Sequence, residues 1–328
     1  MTQQRRLTYL LGIVLLAGLV LSGCGAADSP AASDPQSSAA QADQSQAERI
    51  IQHAMGETKV PAQPQRVVVL DTGELDSALA LGVKPVGAVS AFADGEFPAY
   101  LRDQTEGIKN VGTIQEPNLE AILALKPDLI LSSKLRHEAI YEQLSKIAPT
   151  VFTESVGVTW KENFKLHAEA LGKTAEYERL MQQYNDRMAE FRQKMGDQLA
   201  ETEVSVVRFL PGQVRIYMNA SFIGTVIKDA GLPRPAVQNK DVFMEEGTKE
   251  RIPDFDADVM FVTTYGPAEK TDLAAYKNDP LWSQLSVVRN GKVYEVDDSY
   301  WMLGIGIQAA QKVQDDLFKI FLGQESGA

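Results

Sequence analysis

Short apolar runs alternate with helically spaced apolar residues along most of the chain. The runs at 66–70 and 128–131 predict buried strands, and the leucines of 73–81 predict a helix that ends at Gly82. The same signals predict further strands at 85–89, 150–152, 204–209, 214–217, 258–262 and 292–296, and further helices at 118–125, 138–147, 160–171, 222–230 and 308–321. Strands that alternate with short helices are typical of a parallel α/β sheet.

One predicted helix is longer than a single small lobe requires. Residues 174–197 contain no proline and one glycine, Gly196, and they are rich in Glu, Gln, Arg, Met and Leu. At 1.5 Å per residue, these residues would form a rod of roughly 36 Å. Because α/β alternation precedes and follows the rod, the predicted fold class is α/β, with two Rossmann-like α/β lobes bridged by one long α-helix and a ligand cleft between the lobes.

A faint internal repeat supports the prediction of two similar lobes. Residues 118–130 recur in form as residues 248–260. Glu120, Ile122, Leu125 and Asp128 of the first copy correspond to Glu250, Ile252, Phe255 and Asp258 of the second, always 130 residues later. Each copy predicts a cap, a helical turn and a buried strand.

The N-terminus has the pattern of a signal peptide. Arg5 and Arg6 precede an uncharged run at 7–20, which at about 14 residues is short for a membrane span of about 20 but typical of a signal-peptide core. The run leads into Leu-Ser-Gly-Cys24, and Cys24 is the one cysteine of the chain. These residues resemble the lipobox of bacterial lipoproteins, which implies cleavage before Cys24 and acylation of its thiol. A plain secretory signal with a chance cysteine is the alternative.

A polar segment follows the cysteine. Residues 25–46 consist of Ala, Ser, Gln, Asp, Pro and Gly, without aromatic or β-branched residues. Such a segment cannot bury enough apolar surface to order itself, so we predict a flexible tether between the anchor and the folded body. The predicted boundaries are 1–23 for the lipoprotein signal peptide, 24–55 for the flexible tether, 56–160 for the N-terminal α/β lobe, 161–200 for the helical segment with the bridging helix, and 201–328 for the C-terminal α/β lobe.

The charge and the motifs exclude several functions. The 328 residues include 32 Lys and Arg against 44 Asp and Glu, a net charge of −12, which argues against a nucleic-acid binder because phosphates attract a basic surface. A single cysteine excludes an internal disulfide framework, a cysteine-based zinc site and a CxxC redox site. The chain has no GxSxG, P-loop or HExxH motif and no GxGxxG after a strand, so we do not expect an enzyme. A surface hydrolase on an α/β scaffold is the alternative from another class.

Several segments resemble a known family. VVVLDTGELDSALALGVKPVGAV, VGTIQEPNLEAILALKPDLIL and DSYW, together with the lipobox and the long helix, resemble the iron–siderophore substrate-binding lipoproteins of ABC importers, from about residue 60 to the C-terminus. The resemblance implies a ferric siderophore as ligand and an ABC permease and ATPase complex as partner. It also implies a monomer held by its lipid anchor on the extracytoplasmic face of the cell membrane, of the Gram-positive type. No cofactor is expected, because the siderophore already coordinates the iron.

Two further segments narrow the resemblance. SSKLRHE and VRIYMNASFIGTVIKDAGLPRP resemble the branch of the family that binds hydroxamate and citrate-hydroxamate siderophores. A ferric siderophore of this type is a compact, mostly anionic chelate, which calls for cationic donors and aromatic walls. The same fold also hosts haem and cobalamin binders, so a haem- or cobalamin-binding protein is the alternative within the fold.

Three arginines are the leading candidates for cationic donors. Arg136, with His137 beside it, follows a predicted strand, where ligands of open α/β sheets bind; a solvated arginine paired with the next glutamate is the alternative. Arg208 lies inside a predicted strand, where a charge is costly unless it is paired. Arg215 and Tyr217 share one face of the next strand because side chains alternate. A salt-bridged sheet edge is the alternative for these strand residues.

Further ligand contacts are expected from Trp160, Tyr300, Trp301 and Thr72. The resemblance implies that Trp301, at the end of the DSYW motif, faces the ligand, whereas a core tryptophan is the alternative. Thr72 lies in the first strand-to-helix loop, where its hydroxyl or the helix N-terminus could receive an anion, or where it could simply cap the helix.

Glu120 and Glu250 call for a different interpretation. Each falls in the first turn of a predicted helix, where the helix dipole favours a carboxylate by about 0.3–1 kcal/mol. That effect alone could account for both residues. The resemblance implies a docking role instead, because in the family one glutamate on each lobe pairs with arginines of the permease, and these two occupy the matching positions.

Overall fold

The computed structural model describes residues 47–92 and 94–324. The predicted signal peptide 1–23, Cys24, and residues 25–46 of the predicted tether lie outside the described residues. Among the described residues, no helix is both long enough and apolar enough to span a membrane.

A β-hairpin begins the described chain, with β1 (Glu48–His53) antiparallel to β2 (Gly56–Pro61). Arg49 ties the hairpin to a later helix, because its Nη2 donates to the carbonyl oxygen of Ala170 at 3.0 Å. The prediction of a tether over 24–55 is therefore wrong at its C-terminal end, since β1 is paired along its whole length. Its sequence, ERIIQH, lacks the continuous apolar run that identified other strands.

The first lobe is built on a five-stranded sheet in which every strand is parallel to its neighbours. In the order β5-β4-β3-β6-β7, this sheet contains β3 (Val67–Val69), β4 (Gly87–Ser90), β5 (Lys109–Thr113), β6 (Leu129–Ser133) and β7 (Thr150–Thr153). The central strand β3 is fully buried, as expected for an unbroken valine run in a covered parallel sheet. The sequence did not predict β5, because Val111 is its one buried residue.

The α-helices of the first lobe are α1 (Thr72–Ala80), α2 (Leu119–Ala124), α3 (Lys134–His137) and α4 (Tyr141–Ser145). Side-chain caps begin the first two: Asp71 accepts a hydrogen bond at the start of α1, and Asn118 does so at the start of α2. The helix predicted over 138–147 is wrong in its bounds. A 3₁₀ turn occupies Glu138–Ile140, and the backbone of Ile140 leaves the helical region at φ −113° and ψ 5° before α4 begins.

Two consecutive helices lead from the first lobe to the second. They are α5 (Trp160–Leu171) and α6 (Thr174–Met195), joined through Gly172 at φ 71°. With 22 residues, α6 is roughly 33 Å long, and it is the bridging helix that the sequence predicts. Its buried residues recur at helical spacing and form one apolar stripe: Met181, Tyr184, Met188, Phe191 and Met195.

The second lobe has a mixed five-stranded sheet. In the order β10-β9-β8-β11-β12, this sheet contains β8 (Val204–Leu210), β9 (Gln213–Tyr217), β10 (Met244–Glu246), β11 (Val259–Thr264) and β12 (Val293–Glu295). The strands β8, β11 and β12 are parallel, whereas β9 is antiparallel to both of its neighbours. A tight turn at Pro211 and Gly212, with Gly212 at φ 72°, reverses the chain between β8 and β9.

The remaining α-helices are α7 (Phe222–Ala230), α8 (Leu273–Lys277), α9 (Pro280–Gln284), α10 (Ser286–Arg289), α11 (Asp298–Trp301) and α12 (Ile307–Leu322). The last of these docks on the first lobe. The carboxylate of Asp76 on α1 accepts hydrogen bonds from the backbone N–H groups of Gln308 and Ala309 at 2.9 and 3.0 Å, and from the Tyr100 hydroxyl at 2.7 Å. Burial raises the pKa of Asp76 to about 7, against the effect of these hydrogen bonds.

The internal repeat corresponds to a shared construction of the two lobes. Asp128 accepts hydrogen bonds from the backbone N–H groups of Gln65 and Arg66 at 2.8 and 2.9 Å, just before β3. Asp258 accepts one from Glu203 at 2.8 Å, just before β8. Each aspartate thus fixes the start of the central strand of its own lobe. The repeated helical turn differs, since the second copy is a 3₁₀ helix that contains Pro253.

Candidate functional site

A cavity of about 250 Å³ lies between the two lobes. Its walls come from the segments that follow β6 and β7, from β8 and β9, from the start of α7, from the residue before β10, and from the end of α11 and the segment after it. The lining residues are Arg136, Val156, Gly157, Arg208, Arg215, Tyr217, Phe222, Ile223, Phe243, Trp301, Met302, Leu303 and Ile305. A larger hollow of about 430 Å³ beside α12 is lined mainly by glutamines and surface charges. The cavity between the lobes is the better candidate site because it gathers three arginines against aromatic walls.

Arg136 enters the cavity from the first lobe. Its Nε donates to Oδ2 of Asp71 at 2.8 Å, and the Asp71 side chain is fully buried while 37% of the Arg136 side chain is exposed. Asp71 also caps α1, so the residue that starts this helix also orients the guanidinium. The structure therefore places Arg136 at the cleft, as predicted, and gives it a partner other than the neighbouring glutamate.

Arg208 enters from the second lobe and is held by three side chains of that lobe. Its Nε and Nη2 donate to the two carboxylate oxygens of Asp298 at 2.7 and 2.5 Å, and its Nη1 donates to the Tyr217 hydroxyl at 3.2 Å. Its guanidinium also lies over the ring of Tyr265, 5.1 Å from the centroid. Burial works against the charge, but Asp298 and Tyr217 hold the pKa of Arg208 above its ordinary value. The charge predicted to be costly in a strand is thus paired.

Arg215 is directly opposite Arg208 across the antiparallel pair of β8 and β9. Side chains of opposed residues share a face and lie about 4.5–5.5 Å apart at Cβ. The Nε of Arg215 donates to Oε1 of Gln213 at 2.8 Å. Tyr217, two residues further on, lines the same cavity, which agrees with the predicted shared face of β9.

Aromatic side chains form part of the wall. Trp301 lines the cavity, and its indole N–H donates to Asp316 at 2.7 Å. Phe243 packs edge-to-face on Tyr217, with 5.3 Å between ring centroids, and is 51% exposed. The sequence did not identify Phe243, because an exposed aromatic residue in an irregular segment carries no periodic signal; its proximity to the arginines exists only in the fold. Phe222, at the start of α7, was missed as well.

Two predicted ligand residues lie in the core instead. Trp160 is 1% exposed, and its indole N–H donates to the Thr225 hydroxyl at 2.9 Å. His137 is buried, with Nδ1 2.6 Å from the Ser132 hydroxyl and Nε2 2.6 Å from the Ile114 carbonyl oxygen. Neither residue lines the cavity. Their residue types suggested ligand contacts, but the turn of each helix points the side chain inward.

Thr72 and Tyr300 are also absent from the cavity wall. Thr72 is buried, and its hydroxyl donates to the carbonyl oxygen of Leu303, so it joins two segments of the chain. Tyr300 donates to Asp316 at 3.0 Å. The indole N–H of Trp301 donates to the same carboxylate of Asp316. Trp301 lines the cavity, whereas Tyr300 does not.

A pair of buried titratable residues lies behind the Arg136–Asp71 contact. Glu74 on α1 and His167 on α5 are each 2% exposed, and Oε1 of Glu74 is 3.8 Å from Nε2 of His167. Burial raises the pKa of Glu74 to about 8, with a further contribution from Asp71, and lowers the pKa of His167 to about 3. Burial therefore favours the neutral form of both side chains.

Glu120 and Glu250 are exposed on the outer surface, in the first turns of α2 and of the 3₁₀ helix Lys249–Phe255. A hydrogen bond from its own backbone and another from Thr248 lower the pKa of Glu250, so its carboxylate is ionised. Neither residue contributes to the cavity. Their docking role stays a prediction.

Two α/β lobes, a bridging helix and a cationic cleft define a solute-binding protein of the kind that serves importers. The chain belongs to the Periplasmic binding protein family, which matches residues 67–300. It is 41% identical over 325 residues to the probable siderophore-binding lipoprotein YfiY of Bacillus subtilis, covering 95% of this chain and 97% of that protein. It is 31% identical to the Fe(3+)-citrate-binding protein YfmC of the same organism, covering 97% of this chain and 98% of that protein.

A solved structure agrees with these relatives. The chain resembles Staphylococcus aureus SirA complexed with staphyloferrin B, with a TM-score of 0.76 and 36% identity, over 84% of this chain and 98% of that one. The predicted fold class and family are therefore confirmed. The family and these relatives are solute-binding proteins rather than enzymes, and YfiY is named a lipoprotein.

Proposed function

We propose that this protein captures a ferric siderophore in the cavity between its lobes and delivers it to an ABC importer. The observation that carries the proposal is the convergence of Arg136 from one lobe with Arg208 and Arg215 from the other. Guanidinium groups bind carboxylate and other oxygen anions with short, charge-assisted hydrogen bonds. A cavity of this composition suits an anionic chelate whose iron is already coordinated.

Within siderophores, we favour ligands of the citrate or citrate-hydroxamate type. Arg136 and Arg215 each use Nε on an acceptor of the protein, which orients their terminal nitrogens without occupying them. Such an edge can clamp a carboxylate bidentately. The name of YfmC, which refers to ferric citrate, supports this choice.

The cellular setting completes the proposal. Acylation of Cys24 would hold the protein, as a monomer, on the extracytoplasmic face of the membrane, in keeping with the lipoprotein relatives. Glu120 and Glu250 would dock one lobe each on the permease, whose ATPase drives transport. In this role the protein binds and releases its ligand without chemical turnover, and it needs neither a cofactor nor a nucleic acid.

Fluorescence titration tests the proposal. Because Trp301 is in the cavity wall, a bound ferric chelate should quench its emission, whereas the iron-free chelator at the same concentration should do so much less. A panel of ferric citrate, a ferric trihydroxamate, haem and cobalamin distinguishes the ligand classes. Saturable binding of haem or cobalamin alone would support the alternative within the fold, and turnover of an ester or amide substrate would support the hydrolase.

A further inference from the structure

Two of the three arginines in the cavity are paired with a carboxylate of the protein. Asp298 binds Arg208 through two hydrogen bonds, and Asp71 binds Arg136 through one. Both carboxylates are withdrawn from solvent, with side-chain exposures of 11% and 0%. Arg215 differs, because its Nε donates to the neutral side-chain amide of Gln213. Among the side chains that the structure describes, no carboxylate forms an ion pair with it.

The two carboxylates reduce the positive charge that the cavity presents to a ligand. Three guanidiniums and two carboxylates leave a net fixed charge of one positive unit. Asp298 also reduces the electrostatic repulsion between Arg208 and Arg215, because like charges directly opposite each other on an antiparallel pair repel. Because Asp298 occupies the Nε–Nη2 edge of Arg208, a ligand carboxylate cannot use that edge. The terminal nitrogens of Arg136 and Arg215 stay available to it.

We infer that Asp71 and Asp298 set the charge preference of the cavity, so that the protein favours ferric chelates of low net negative charge over more highly charged ones. In this arrangement the terminal nitrogens of Arg136 and Arg215 bind ligand carboxylates, while Arg208, whose Nε–Nη2 edge is taken by Asp298, contributes a single donor at a fixed position. The inference rests on the proposed function and adds a specificity role for two residues that need not touch the ligand. Both are positioning residues that act through the arginines.

The test replaces each carboxylate by its neutral isostere. Asp71→Asn and Asp298→Asn keep the shape of the side chain, and asparagine is as good a helix cap as aspartate at position 71. Asp297→Asn is the matched control. It makes the same chemical change one residue away, on an exposed carboxylate that accepts a hydrogen bond from the backbone of Ser299 and does not contact an arginine.

The probes are ferric citrate, which is anionic, and ferrichrome, a neutral ferric trihydroxamate. Dissociation constants are measured by fluorescence quenching at low and high salt. Each of the two test variants should raise the affinity for ferric citrate relative to ferrichrome about tenfold, which corresponds to about 1.4 kcal/mol. This gain should shrink at high salt, because screening weakens interactions between charges. Asp297→Asn should leave the ratio unchanged.

A purely structural role gives a different result. If the carboxylates only hold the arginines in place, both variants lose affinity for the two chelates by the same factor at every salt concentration, and the inference is refuted. Should Asp298→Asn fail to fold, Asp71→Asn in the other lobe decides the question. If the wild-type protein binds none of the ferric chelates, the proposed function itself is wrong. If it binds them but the two variants leave the ratio of the affinities for ferric citrate and ferrichrome unchanged, only the charge preference is wrong.

Discussion

Replacement of Arg208 by alanine should destabilise the protein as well as weaken ligand binding. The substitution removes the guanidinium but leaves Asp298 in place, with 11% of its side chain exposed. Removing one partner of a buried ion pair costs about 3–5 kcal/mol, because the other charge stays buried without compensation. In a protein of this size, each kcal/mol lowers the melting temperature by about 2–4 °C. The expected loss for Arg208→Ala is therefore roughly 6–20 °C.

The pH dependence of this loss identifies its cause. Burial already raises the pKa of Asp298, and Arg208 is the main group that opposes the rise. Without the arginine, Asp298 should take up a proton at a higher pH and so lose its uncompensated charge. The melting temperature of Arg208→Ala should therefore lie closer to that of the wild type at pH 5 than at pH 8. Adding Asp298→Asn to Arg208→Ala should recover part of the melting temperature at pH 8.

Arg215→Ala is the matched comparison. The residue is directly opposite Arg208, and its one side-chain acceptor in the described part of the chain is the neutral amide of Gln213. Its removal therefore leaves no buried charge without a partner. We expect a change in stability within about 0.5 kcal/mol. A hydrogen bond to a charged group contributes about 1.5–3 kcal/mol, so affinity for a ferric siderophore should fall about 10- to 100-fold.

Thermal unfolding followed by circular dichroism, and fluorescence titration of the same preparations, measure both effects. The reasoning fails if Arg208→Ala melts within 2 °C of wild type (roughly one kcal/mol or less), or if Arg215→Ala melts as low as Arg208→Ala. If Arg215→Ala kept its affinity for the ferric siderophore, Arg215 would not be part of the binding site. Arg136 and Arg208 would then be the residues that support an anionic ligand.

Three further predictions concern other parts of the chain. Cys24→Ser should move the protein from the membrane fraction of cells to the soluble fraction, and its retention in membranes would count against the lipobox. Glu120→Ala combined with Glu250→Ala should leave the affinity of the purified protein for ferric siderophore intact while uptake by cells falls; loss of binding would contradict a docking role. Glu74→Gln should gain stability relative to wild type as pH rises from about 4.5 to about 8, by up to about 1.4 kcal/mol per pH unit, because the folded wild type holds a proton on Glu74 that the unfolded chain releases. A difference in unfolding free energy that is flat over this range would show that Glu74 is ionised in the fold.

The three arginines of the cavity carried different signals in the sequence: Arg136 follows a predicted strand, Arg215 shares a strand face with Tyr217, and Arg208 interrupts an apolar run. Arg208 stands inside a run of buried residues, and such a charge has to have a partner or a ligand. What the sequence could not supply is the identity of that partner, since Asp298 is 90 residues away. The same limit explains why Asp71 was not recognised as the partner of Arg136.

Aromatic residues were harder to assign, because residue type does not determine the direction of a side chain. Trp160 and Trp301 are both almost fully buried, yet one packs in the core and the other forms part of the cavity wall. The strands β1 and β5 were missed because they present few buried residues. Where a run was both apolar and bounded by glycine, as in α7, the predicted bounds of 222–230 are confirmed.

The docking of α12 on Asp76 restricts how the protein can admit its ligand. A hinge that opened the lobes widely would pull the start of α12 away from α1 and break the hydrogen bonds that Asp76 accepts there. The buried carboxylate would then lose its donors, an expensive event in a low-dielectric interior. We therefore expect the two lobes to move as nearly one body, with ligand entering past Phe243, which lines the cavity and is 51% exposed. A permease that empties such a receptor has to supply the force that separates the lobes, so unloading would be an active step performed on the protein rather than a spontaneous opening.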